Sequence, residues 1–164
     1  MKKSNLFKLV TIAGLVIPVA ALAQQTIKIG LIQPLTGSVA YNGQADVAGS
    51  KQAVDERNAK GGVLGKKIEL VIEDGQCKPA NSVNAAEKLI QKDKVVALSG
   101  AFCSSATAAI IPVTEKYKLP LITGVSSKSD LTEKGYKYFF RATETDALLA
   151  KAFAKIIHDN LHLQ

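Results

Sequence analysis

Histidine and cysteine are scarce in this 164-residue chain, and each scarcity closes off a chemistry. The only histidines, His158 and His162, stand four apart near the carboxyl end. A serine nucleophile needs an adjacent base, and there is no Gly-x-Ser-x-Gly elbow, so hydrolysis at Ser104 or Ser105 is disfavoured. The two histidines could share a helix face, but no third metal ligand stands in an obvious place. They read as a solvated helix end, and no metal or other cofactor is expected. Cys77 and Cys103 are the only cysteines. In an exported chain an even count usually means a disulfide, with two free buried thiols as the weaker alternative. Charge is not strongly one-sided either. The net +7 falls to +4 without Lys2, Lys3 and Lys8, because all 14 acidic residues lie further along. So mild an excess gives no reason to expect a nucleic acid partner.

What is present begins with a leader. Lys2, Lys3 and Lys8 precede an apolar run over residues 9–22, broken only by Thr11, Gly14 and Pro18. Ala21-Leu22-Ala23 has the small-x-small form of a cleavage site, so residues 1–23 read as a signal peptide and the exported chain begins near Gln24. The run is too short, and Pro18 too central, for a membrane span. The remainder, 24–164, has the length of one domain, and 47% hydrophobic residues is enough for a core.

Hydrophobic period then predicts the elements in turn. Residues 26–32 read as a strand entering a parallel sheet, and Gln33-Pro34-Leu35-Thr36-Gly37-Ser38 as the turn after it. A helix is predicted over 44–59 with Val47, Ala48, Ala53 and Val54 inward, and Gly49 allowing close approach to the sheet. Gly61-Gly62 ends it. Residues 66–73 form the second strand; Pro79 opens a helix with Val83, Ala86, Leu89 and Ile90 as its stripe. Strands are predicted at 95–98 and 119–122, with a helix between them burying Ala106, Ala109, Ile110, Val113 and Tyr117 and kinked at Pro112. A strand at 138–141 and a helix over 143–162, with Leu149, Ala152, Phe153, Ile156 and Ile157 inward, complete the chain. Gly61 to Lys67 superficially resembles a phosphate loop, but it precedes a strand and no Ser or Thr follows the lysine; it is a connecting turn. The order predicts a doubly wound, mostly parallel α/β layer. The last helix has no strand to return to, so the domain is expected to be incomplete, with an exposed edge that favours self-association.

Function concentrates at one corner. The third and fourth strands each run into small hydroxyl residues, Ser99 through Ser105 and Thr123 through Ser127. A right-handed crossover would place both loops at the carboxyl edge of the sheet, where open α/β folds bind ligands. The first loop also opens a helix, whose free N–H groups favour a carboxylate or phosphate. Ser104 and Ser105 could be plain helix caps. Ser126 and Ser127 at the same edge point further, to a zwitterion. Hydroxyls and N–H groups would take its carboxylate, and hydroxyl and carbonyl oxygens its ammonium.

An ordered set of motifs carries a family resemblance. It runs through Ile27-Lys28-Ile29-Gly30, Pro34-Leu35-Thr36-Gly37, Asn58-Ala59-Lys60-Gly61-Gly62-Val63 and Glu73-Asp74-Gly75-Gln76-Cys77. It continues with Cys103-Ser104-Ser105-Ala106-Thr107, Leu131-Thr132-Glu133-Lys134-Gly135-Tyr136 and Phe140-Arg141. The chain resembles the leucine/isoleucine/valine-binding family of periplasmic solute receptors, which serve ABC transporters and have the type I periplasmic binding fold. The resemblance covers most of the first of that family's two lobes. It implies a periplasmic location, an amino-acid ligand, a membrane permease as partner, and a Cys77–Cys103 disulfide reaching across the end of the first strand. It also implies that Ser104 binds the carboxylate through its hydroxyl and N–H, with the N–H of Ser127 helping. The carbonyl of Val125 and the hydroxyl of Ser127 would take the ammonium. Asn42 stands where the family often has an aromatic over the ligand, with Tyr41 beside it as a substitute. Val125-Ser126-Ser127 replaces a more usual Ala-Ala-Thr, which alters the side-chain pocket. A single lobe leaves the ligand wet on one side, so weak binding is expected. A ligand-sensing receptor fragment of the same fold is the alternative reading, and an exported α/β enzyme a remote one.

Overall fold

The computed structural model describes residues 26–161. The leader over residues 1–23, its cleavage after Ala23, and His162 lie outside them. Five strands form one sheet: β1 (Ile27–Gln33), β2 (Ile68–Asp74), β3 (Ala97–Gly100), β4 (Leu121–Thr123) and β5 (Phe139–Arg141). Their order is β2-β1-β3-β4-β5 and every pairing is parallel. The helices are α1 (Ala40–Ala59), α2 (Pro79–Gln91), α3 (Ser104–Tyr117) and α4 (Asp146–Leu161), with a 3-10 turn at Ser129–Thr132. The predicted α/β layer is therefore the fold.

Alternation along the strands sorts side chains to two faces. Ile32, Leu98, Leu121 and Phe139 meet Ala86, Leu89, Ile110 and Ile111 of α2 and α3 in the main core. Each such Leu or Ile contributes roughly 1.5–3 kcal/mol on leaving water. On α2 the predicted stripe holds, with Ala86, Leu89 and Ile90 buried and Val83 half-buried against the core. On α3 the inward face is rotated: Ala106, Thr107, Ile110, Ile111 and Thr114 are buried, while Val113 and Tyr117 only flank them. Two threonines were missed because their hydroxyls are spent locally, Thr114 on the carbonyl of Ile111 at 2.9 Å and Thr107 on that of Ala101 at 2.6 Å. Pro112 does not interrupt α3. It is exposed, and so is Ala108, whose carbonyl loses its helical donor to the proline.

Three boundaries shift for physical reasons. Pro120 has no N–H to give, so β4 begins one residue after it. β3 begins at Ala97 and continues through Ser99 and Gly100, which lie opposite Leu31 and Ile32 of β1. α1 starts at Ala40, four residues ahead of the predicted start, and its one buried residue is Gly43. A Cβ on Gly43 would stand 2.1 Å from the carbonyl oxygen of Pro34, whereas one on Gly49 would touch nothing. The close approach therefore belongs to Gly43. Ala48 and Ala53 are exposed, and Val47 and Val54 only half-buried, against expectation. α4 departs most: Leu149, Phe153, Ile156 and Ile157 are all exposed. Among the described residues no helix is long and apolar enough to cross a membrane.

Asp74, at the end of β2, ties two loops of the carboxyl edge together. It accepts the Thr36 hydroxyl at 2.5 Å and the N–H groups of Leu35 and Gln76 at 2.9 Å each. Desolvation pushes its carboxyl upward, but these hydrogen bonds outweigh it and hold the group below the usual carboxylate range. A carboxylate depressed in the folded state stabilises the protein above its unfolded pKa, and that contribution fades as pH falls through the folded value. Asp74→Asn should therefore lower the urea midpoint at pH 7 and flatten its fall below about pH 4. Midpoints measured from pH 7 to pH 2.5 on both proteins check this; parallel curves would refute it.

Candidate ligand-binding site

The carboxyl edge of the sheet gathers the loops after β1, β2, β3 and β4. Cys77, after β2, and Cys103, after β3, form a disulfide with their Cα atoms 5.3 Å apart. Because β2 and β3 flank β1, the bond crosses the end of β1. Cys103 is also the residue that caps α3, so the cross-link fixes where that helix starts.

The first hydrogen bond into the helix end runs from the Thr107 N–H to the Cys103 carbonyl at 3.0 Å. The N–H groups of Ser104 and Ser105 therefore have no intrahelical partner, as is true of the first donors of any helix. Ser104 is not the cap that its position suggested. It is the first helical residue, half-buried, and its Oγ accepts the Lys128 N–H at 3.4 Å. That bond joins loops 24 residues apart. Ser105 beside it is exposed.

Of the second serine pair, only one member faces outward. Ser126 is buried, with its Oγ 2.6 Å from Thr107 Oγ1, 2.9 Å from the Ala101 carbonyl and 3.2 Å from that of Phe102. Its N–H goes to Thr123 Oγ1 at 3.2 Å. Its hydroxyl thus braces one loop on the other, and its N–H braces its own loop. Ser127 is half-buried, with its carbonyl accepting the Asp146 N–H at 2.9 Å. Val125 beside it is partly exposed. Arg141 clamps the same loop from below, donating to the Lys128 carbonyl at 2.7 Å and to Thr132 Oγ1 at 2.6 Å. Tyr41 and Asn42 lie exposed on the first turn of α1, at the same edge.

Thr107, Thr123, Lys128 and Arg141 hold this corner together and were not singled out from the sequence as site residues. An arginine closing the apolar Phe139-Phe140 strand, and a threonine one turn into α3, were the available signals. A separate cavity of about 420 Å³ opens on the α1 side of the edge, lined by Gln33, Asp46, Ser99, Phe102, Thr123 and Val125 among others. Ser104 and Ser127 do not line it. Burial pushes the Asp46 carboxyl up, and Gln33 Oε1 is buried without a partner.

A parallel α/β lobe with a disulfide-pinned helix start and a hydroxyl-rich loop at one edge is the form of a solute receptor. The chain belongs to the periplasmic binding protein family, whose sequence pattern matches residues 26–162. It is 35% identical over 154 residues to the leucine-, isoleucine-, valine-, threonine- and alanine-binding protein of Pseudomonas aeruginosa, covering 94% of this chain and 40% of that protein. The branched-chain amino acid transporter substrate binding protein LivJ of Streptococcus pneumoniae, solved with isoleucine, superposes with a TM-score of 0.78. That match is 36% identical and covers 84% of this chain and 39% of LivJ. A solute binding protein of an ABC transporter from Rhodopseudomonas palustris, solved with 3,4-dihydroxybenzoic acid, superposes with a TM-score of 0.67 at 32% identity, over 73% of this chain and 32% of that one. The chain spans about two fifths of the length of the curated relatives it matches.

Proposed function

We propose that this chain is the carboxylate-holding lobe of an exported amino-acid receptor that delivers its ligand to an ABC-transporter permease. The observation that carries it is the Lys128–Ser104 hydrogen bond, which brings the open end of α3 and the Val125–Ser127 loop to one edge. Isoleucine and dihydroxybenzoic acid, the ligands solved with two similar proteins, share a carboxylate and little else. The N–H groups of Ser104 and Ser105, the Ser104 hydroxyl and the positive end of α3 form a cradle for that group. In an amino acid the ammonium would lie toward the Val125 carbonyl and the Ser127 hydroxyl, with the Ser127 N–H assisting on the carboxylate. Tyr41 and Asn42 would meet the side chain from α1. Ser126 keeps the two loops in register and does not touch the ligand.

The hydroxyls act as hydrogen-bond partners, and the role is capture, not catalysis. Export would follow cleavage after Ala23, with the periplasm as destination. Every contacting residue lies on an open edge, so water competes for each hydrogen bond and affinity falls in the millimolar range, about 4 kcal/mol. Leucine, isoleucine and benzoate titrated into the ¹⁵N-labelled exported chain should shift the amide signals of Ser104 to Thr107 and Val125 to Ser127. Ser104→Ala should weaken binding by about tenfold, as loss of a hydrogen bond to a charged group does, with stability falling only by what the lost Lys128 contact contributes, about 0.5–1.5 kcal/mol. No shift at those amides with any of the three acids would overturn the reading.

A further inference from the structure

Charge is divided unevenly between the two edges of the sheet. At the carboxyl edge Lys78, Lys128 and Arg141 are interleaved with Asp74, Asp130 and Asp146. The amino edge, where the five parallel strands begin, is built from the turns after α1, α2 and α3, residues 60–67, 92–96 and 118–120. Those turns hold six lysines and a single acid, Asp93, which is half-buried. Lys60, Lys66 and Lys67 lead into β2, Lys92 and Lys94 into β3, and Lys118 into β4. Lys137 stands just ahead of β5, and all seven side chains are exposed. A helix carboxyl end favours a nearby cation, which accounts for Lys60, Lys92 and Lys118, the residues directly after the three helices. It does not account for the other four, which lie further along the chain.

The same edge holds apolar side chains in water. Leu64 is 92% exposed and sits at φ +51°, a left-handed conformation that favours glycine. Its turn is pinned by paired hydrogen bonds between Val63 and Lys66 at 2.8 and 2.9 Å, so Leu64 is held out from the body at the tip. Val96, beside Lys94, is 57% exposed. Adjacent strands lie about 4.8 Å apart, so the strand entries from β2 to β5 form a row about 19 Å long.

We propose that this amino edge rests on an anionic phospholipid surface, with the lysines at the headgroup phosphates and Leu64 entering the boundary between headgroups and acyl chains. A row of ammonium groups along one front matches a plane of negative charge. A bare leucine at the tip of a pinned turn matches a boundary that is charged outside and apolar within. An acidic polypeptide would pair with the lysines but leave Leu64 in water. Ser104 and Ser127 lie at the opposite edge, so a lobe held in this way keeps its proposed ligand contacts clear of the lipid.

Co-sedimentation of the exported chain with vesicles tests this, comparing phosphatidylcholine alone with an equal mixture of phosphatidylcholine and phosphatidylglycerol. The chain should bind the mixed vesicles and not the neutral ones. Raising NaCl from about 50 to about 300 mM should weaken binding about tenfold, because salt shortens the reach of the lysine charges. Each lysine near such a surface contributes about fivefold, so Lys67→Glu/Lys94→Glu should weaken binding at least about twentyfold. Leu64→Ser should weaken it about tenfold. Lys51→Glu/Lys151→Glu makes the same change in net charge away from this edge and should weaken it less than about threefold. The circular dichroism spectrum should be the same for all three variants. No binding to the mixed vesicles overturns the proposal, as does equal binding to the neutral ones. Equal losses in the two double variants overturn it too, since net charge alone would then explain the binding. Binding to polyglutamate that exceeds binding to vesicles and ignores Leu64→Ser assigns the edge to an acidic polypeptide and overturns it as well. None of these results bears on carboxylate binding at Ser104, which is read from the amide shifts.

Discussion

Replacing Gly100 with alanine should lower the melting temperature of the lobe by about 10–15 °C. Gly100 ends β3 with φ at +112°, a conformation that side chains with a Cβ rarely adopt. A Cβ there would lie 2.0 Å from the carbonyl oxygen of Ile32 and 3.3 Å from its nitrogen. Ile32 cannot give way, because it is fully buried in the main core and its strand is paired on both sides. Backbone strain and overpacking each cost about 1–3 kcal/mol, so together about 3–4 kcal/mol is expected. At about 4 °C per kcal/mol for a domain of this size, the shift follows. Gly124, which follows β4 as Ala101 follows β3, is the control: a Cβ there meets nothing within 4 Å. Gly124→Ala should change stability by less than about 0.5 kcal/mol. Thermal melts of the two variants, followed by circular dichroism, decide the matter. If Gly100→Ala melts within 3 °C of the parent by that ruler, the loop has a second conformation and the close approach does not define it. The consequence reaches the site, because Gly100 sets the course of Ala101 to Ser104.

How much of this corner could be read from sequence depends on how the residues earn their burial. The order of elements along the chain, the turn at residues 61–67 and the stripe of α2 were legible because Leu89 and Ile90 are buried, and Leu70-Val71-Ile72 half-buried, by being apolar. Thr107, Thr114 and Ser126 are buried by having their hydroxyls satisfied, and no period reports that. The same cause hid which serine of the second pair is turned inward. Ser126 and Ser127 are the same residue type one step apart, and only the partners supplied by Ala101, Phe102 and Thr107 turn Ser126 inward. On α1, small and polar residues leave little period to read, and the one buried position is a glycine chosen for its lack of a side chain. α4 fails in the opposite way. Its period is strong, and it is correct as a statement about the helix, but the surface it should meet is not supplied within its own contacts. Amphipathicity says that a face will be covered, and says nothing of what covers it.

The second large effect belongs to the disulfide. The double variant Cys77→Ala/Cys103→Ala should lose about 3–4 kcal/mol of stability, the loop-entropy value for a cross-link between residues 26 apart. The native strands do not depend on the bond for their positions, since β2 and β3 are each hydrogen-bonded along β1 without it. Asp74 and the Gly75 N–H, bound to the Gln33 carbonyl at 2.9 Å, independently tie the β2 loop to the end of β1. The effect should therefore reside mainly in the unfolded chain, where the cross-link restricts the segment that becomes α2 and β3. In urea, with a slope near 1.5–2 kcal/mol per molar, the midpoint should drop by about 2 M. Amide signals of the strands should remain where they are, while those of Cys103 to Thr107 shift, because the start of α3 loses its tether. That pattern separates two roles of one bond. A fall in midpoint with unmoved Ser104 signals would make the disulfide a constraint on the unfolded state alone. Movement at Ser104 as well makes it part of how the start of α3 is held, and the carboxylate binding proposed above should then be weaker in the double variant than in the parent, with no urea present.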